Sequence, residues 1–137
     1  MENQPWKLLS LVLFLRGRPY GGVGILLKNE FCKSIKFQKC LDRISVVVIM
    51  NYIFISVYIP STNSVTDDID IISEVLAEKE KFILDFPHHN IVWGGDFNAN
   101  LSLGGAKALV INKFLIDHNL DYVKSNISSN VNIIDYT

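Results

Sequence analysis

Asp96 and Asn98 sit two positions apart, directly after a glycine pair, in the stretch VWGGDFNAN that runs from Val92 to Asn100. A strand that ends on Gly94 and Gly95 brings bare backbone to a rim, where a ligand can approach closely. On an extended segment residues two apart point the same way, so Asp96 and Asn98 should project together while Phe97 turns back into the core. A carboxylate there can orient or deprotonate a water, or bind a hard metal ion. A neighbouring amide can donate to a phosphoryl oxygen whose charge grows in the transition state. One acid beside one neutral donor suits hydrolysis of a phosphate ester, since a second acid would repel the substrate. The same residue types also build an Asx turn, and spacing alone leaves both readings open.

Those residues need a folded scaffold, and the composition provides for one. Of 137 residues, 49 % are hydrophobic and 20 % charged, which excludes a disordered chain and fits one domain or part of one. A net charge of −1 gives no global basic field, but the charge is split. Residues 1–43 hold eight basic and three acidic side chains, net +5, and the remainder five and eleven, net −6. That asymmetry describes either an ordinary solvated surface or a basic edge that meets a phosphate backbone. Cys32 and Cys40 are too few for a disulfide framework and match no zinc spacing, as expected of reduced thiols in an intracellular protein. The apolar run Leu8–Leu15 is too short to span a bilayer, and Arg16-Gly17-Arg18 is no signal-peptide cleavage site. Nothing distinguishes nucleus from cytoplasm.

The elements follow from period and punctuation. Strands are expected at 8–15, 23–28, 43–50 and 52–59, with a turn over 16–22 and Asn51 as a tight connection. In the fourth strand Tyr52, Phe54, Ser56 and Tyr58 share one face, and Ile53, Ile55, Val57 and Ile59 the other, which predicts a sheet covered on both sides. Thr66 as N-cap, with Asp67 and Asp68 behind it, opens a helix that runs to about Leu84 and ends before Pro87. Its apolar stripe is Ile69, Ile72, Leu76 and Ile83, beside an EKEK solvent face over 78–81. Residues 90–95 form a short buried strand. A second helix at 106–117 turns Leu109, Val110, Phe114 and Leu115 inward, and LDYV and VNIIDY supply two further strands. The result is an α+β layered fold, with residues 1–16 set apart as an N-terminal strand segment.

GGDFNAN, with VYIPS (Val57–Ser61) closing an earlier strand, resembles the endonuclease/exonuclease/phosphatase superfamily. It is most similar to the apurinic-type endonuclease domain of non-LTR retrotransposons and to craniofacial-development-protein-like sequences. GRPYGGVGILLK and DRISVVVI resemble that branch too, and the similarity covers roughly Gly17 to Thr137. The resemblance implies a four-layer α/β/β/α sandwich and Mg²⁺-dependent cleavage of phosphodiester bonds in nucleic acid, DNA in the intact family domain. Asp96 matches the aspartate that orients or activates water and is a possible metal ligand. Asn98 matches the phosphate-binding asparagine, and Tyr58 the tyrosine whose hydroxyl contacts the phosphate.

The departures are specific. The family's glutamate metal ligand, in a Gln-Glu-Thr-like string, has no match here, because Glu2 and Glu30 lie outside such a string. Its closing Ser-Asp-His group is also missing, since IIDYT contains no histidine. His88 and His89 read as solvent-facing spacers, and His118 as a partner of a helix dipole. The chain therefore reads as a domain truncated at both ends, keeping the middle of an active site and inactive by itself. A non-enzymatic remnant or binding domain, or a phosphatase of the same superfamily, are the other readings.

Overall fold

The computed structural model describes residues 23–121 and the backbone of Trp6–Leu8. The turn expected at 16–22, the strands expected beyond Asp121 and all of the 8–15 strand except Leu8 lie outside the described residues.

Strand β1 (Trp6–Leu8) pairs antiparallel with β2 (Leu26–Lys28) in a small separate sheet. A six-residue 3-10 helix, Asn29–Ser34, then leads into β3 (Ile35–Cys40). The main sheet has the order β3-β4-β5-β6, where β4 is Ile44–Ile49, β5 Tyr52–Tyr58 and β6 Asn90–Asp96. Its first two pairings are antiparallel and β5–β6 is parallel, with helix α1 (Val65–Asp85) forming the crossover. Helix α2 (Ala106–Asp117) follows β6. The fold is α+β, built on a four-stranded mixed sheet. No described helix is long and apolar enough to cross a membrane.

The β4–β5 hairpin forms where β-branched residues are densest, and its two-residue turn puts Met50 in the left-handed region at φ 52°. Ile53, Ile55 and Val57 of β5 and Ile44, Val46 and Val48 of β4 point to the helices and form the core with Ile72, Val75 and Leu76 of α1. Full burial of each such side chain contributes roughly 1.5–3 kcal/mol. All six residues of β4 are buried, on both faces of the sheet. The outer strand is less covered, with Val92 at 45 % exposure.

Several expectations change. Strand β3 was not foreseen, and the strand expected at 23–28 contracts to Leu26–Lys28. The N-cap of α1 is Ser64, whose Oγ accepts from the Asp67 N–H at 3.3 Å, so Thr66 lies inside the helix. Ile72 and Leu76 are buried as expected, while Ile69 is half-buried. The buried side of α2 is Ala108, Ile111, Phe114 and Leu115, and Leu109 is 69 % exposed. Phe114 and Leu115 stand as expected, while Ala108 and Ile111 take the places of Leu109 and the half-buried Val110.

The largest correction is in the EKEK run. Lys79 is fully buried, its Nζ 2.8 Å from the centroid of the Trp93 ring and 4.7 Å from that of Phe114. The long aliphatic stem carries it inward while Glu80 and Lys81 stay exposed. His89 also departs from a solvent-facing role, being half-buried and edge-on to Phe86 at 5.4 Å.

Candidate functional site

In the parallel β5–β6 ladder Tyr58 stands opposite Asp96, and the Ile59 N–H donates to the Asp96 carbonyl at 2.8 Å. Alternation puts Tyr58 and Asp96 on the face of the sheet turned away from the helices, at the carboxyl end of both strands. The ladder closes this tightly because of Gly95. A Cβ built there would fall 1.9 Å from the Val57 carbonyl oxygen, and the residue has φ 138°.

Past Asp96 the chain leaves the strand. Phe97 turns into the core, 2 % exposed, and meets Trp93 edge-on at 4.8 Å. Asn98 adopts φ 44°, a left-handed conformation that asparagine tolerates better than most residues. Its N–H donates to Asp96 Oδ1 at 3.0 Å, which is an Asx turn. Its Nδ2 donates across 39 residues to the Ile59 carbonyl at 2.9 Å. Asp96 and Asn98 therefore meet through a turn and not through strand alternation. Of the two readings left open by the spacing, the Asx turn is the one seen here; the ladder sets Tyr58 opposite Asp96, and the turn adds Asn98.

Chemical capacity remains at this rim. An amide nitrogen has two N–H donors, so Asn98 keeps one beyond its bond to Ile59. Among the described residues, neither Asp96 Oδ2 nor the Tyr58 hydroxyl makes a hydrogen bond. One carboxylate oxygen, one amide donor and one hydroxyl are thus carried at two adjacent strand ends.

Beside Asn98 opens a depression of about 280 Å³ lined by Ser61, Asp68, Asn100, Gly105 and Lys107 among others. Lys107 is the residue the sequence reading missed. Its Nζ lies 3.1 Å from Asp68 Oδ2 and within 3.3–3.5 Å of the Pro60 carbonyl, Ser61 Oγ and the Asn98 carbonyl. Asp68 also accepts from the Thr62 N–H at 2.8 Å. Burial works to raise the Asp68 carboxyl, but the bonds from Thr62 and Lys107 outweigh it and hold the group below the usual carboxylate value. A signal did exist. A lysine in the first turn of a helix opposes the macrodipole and calls for a nearby carboxylate.

As a place for Mg²⁺, the rim offers Asp96. No group of three or more His, Cys, Asp or Glu side chains clusters among the described residues. Mg²⁺ is often held by one or two carboxylates, with waters and substrate phosphate completing the octahedron, and Asp96 meets the lower limit of that set. Neither protein-family models, nor curated proteins, nor solved structures give a match to this chain.

Proposed function

We propose that this chain carries the phosphate-holding part of a nucleic-acid phosphodiesterase site, of the endonuclease/exonuclease/phosphatase kind, with DNA as substrate. The observation that supports the reading is the placement of Tyr58, Asp96 and Asn98 at the shared end of β5 and β6. Asn98 donates its free N–H, and Tyr58 its hydroxyl, to the non-bridging oxygens of the phosphate. Asp96 accepts a proton from the attacking water or steers it, and a bound Mg²⁺ would neutralise phosphate charge. A four-layer sandwich is the architecture that goes with this reading, and β4, buried on both faces, supports a further layer opposite the helices.

A second reading keeps the same geometry without catalysis. The Asx turn and the Asn98–Ile59 bond are structural in their own right, so a non-enzymatic binding domain would also retain them.

Binding of a fluorescein-labelled DNA duplex, followed by anisotropy in Mg²⁺, tests the site. Tyr58→Phe keeps the ring and removes only the hydroxyl. Loss of one hydrogen bond to a charged oxygen should weaken binding about tenfold or more. Equal affinity of the two proteins, or no binding by either, would remove the phosphate-site assignment.

A further inference from the structure

We infer that Lys107, with Asp68 as its counter-charge, is the positioning residue of this site, a role that rests on reading the rim as a phosphate site. The ammonium joins three segments. It reaches the loop after β5 at Pro60 and Ser61, the first turn of α1 at Asp68, and the turn after β6 at the Asn98 carbonyl. Tyr58 lies two residues before the first of these contacts, and Asn98 carries the last. Of all ionic contacts among the described residues, this pair is the one in which both side chains are withdrawn from solvent, 11 % and 13 % exposed.

An ammonium has three N–H donors, so Lys107 can serve the carboxylate and the two loops together. Its position in the first turn of α2 places the positive charge at the positive end of the helix dipole. Asp68 offsets that cost and in turn is fixed by the Thr62 amide. Because Asp68 neutralises its charge, Lys107 holds the loops at their working separation and is not itself a phosphate contact. The pair is a clamp between the loop that follows Tyr58 and the turn that brings Asn98.

The test uses the same anisotropy assay across a range of salt concentrations, with thermal unfolding run alongside. Lys107→Met should lower duplex affinity about tenfold while leaving the slope of log affinity against log salt unchanged, since a lysine touching phosphate would lower that slope by about one. Lys107→Gln, which keeps two N–H donors, should recover part of the loss and guards against a Met variant that fails to fold. The double variant Lys107→Met/Asp68→Asn, with both charges gone, should stay weak, because the clamp is still missing. Unchanged affinity of Lys107→Met, a reduced salt slope, or full recovery in the double variant would each overturn the inference. Tyr58→Phe separates the two claims. If it weakens binding and Lys107→Met does not, the clamp fails and the site stands; if it has no effect, the phosphate site itself fails.

Discussion

Lys79→Met is expected to stabilise the folded protein by ~3–5 kcal/mol near neutral pH, an unusually large gain for one substitution. The Lys79 amine is fully buried against the Trp93 and Phe114 rings, and its Nζ has no hydrogen-bond partner among the described residues. Burial pushes its pKa down to about 5, so at neutral pH the folded protein holds a neutral amine seated over aromatic rings. The unfolded chain, with an ordinary value of 10.5, takes up a proton that the folded chain refuses. Between about pH 5 and about pH 10.5 the unfolded state thus binds one more proton, and stability must rise with pH. The contribution of this one group is roughly 1.4 kcal/mol per pH unit, largest as a penalty below pH 5 and gone above 10.5. Methionine fills the same channel without an ionisable group. Urea denaturation at about pH 6 and about pH 9 should show a wild-type midpoint that climbs more steeply than that of Lys79→Met. Parallel pH dependence in the two proteins would mean that the lysine is solvated.

Gly95→Ala is expected to cost at least about 3 kcal/mol and to dismantle the site, because the new methyl group meets backbone and not a movable side chain. Its Cβ would stand 1.9 Å from the Val57 carbonyl oxygen, so β5 and β6 must part where Tyr58 faces Asp96. Gly104→Ala is the internal control. Gly104 also has a left-handed φ of 84°, but nothing lies within 4 Å of its Cβ position. It should lose only the conformational preference, about 1–2 kcal/mol. Similar losses in the two variants would show that strain, and not strand separation, sets the effect at Gly95.

How far these features were legible depends on the range of the interaction that fixes each one. The alternation in YIFISVYI reports burial directly, so the two faces of β5 and the inward turn of Phe97 could be read off. The extent of α1 followed from its acidic first turn and from Pro87, although the hydroxyl that caps it is Ser64 and not Thr66. Spacing brought Asp96 and Asn98 together, by alternation or by an Asx turn, and the family resemblance added Tyr58; the structure has the Asx turn, a bond from Asn98 to Ile59, and Tyr58 opposite Asp96 in the ladder. Strand β3 escaped because Ile35 and Phe37 alternate with polar residues over too few positions to outweigh the surrounding lysines. Lys79 escaped because a run of alternating charges ordinarily marks solvent, and only the tertiary placement of Trp93 reveals that one member points inward. Lys107 and Asp68 are 39 residues apart and on different helices, so nothing local links them.

The central claim is that the rim formed by Tyr58, Asp96 and Asn98 binds a phosphodiester. Titration of the ¹⁵N-labelled protein with a short DNA duplex in Mg²⁺, followed by amide correlation spectra, tests it most directly. The account predicts that the largest shifts fall on the backbone amides from Gly95 to Asn100, on the Asn98 side-chain amide and on residues 58–61. Shifts gathered instead on the basic segment around Lys33, Lys36 and Lys39, with the rim resonances unmoved, would contradict it.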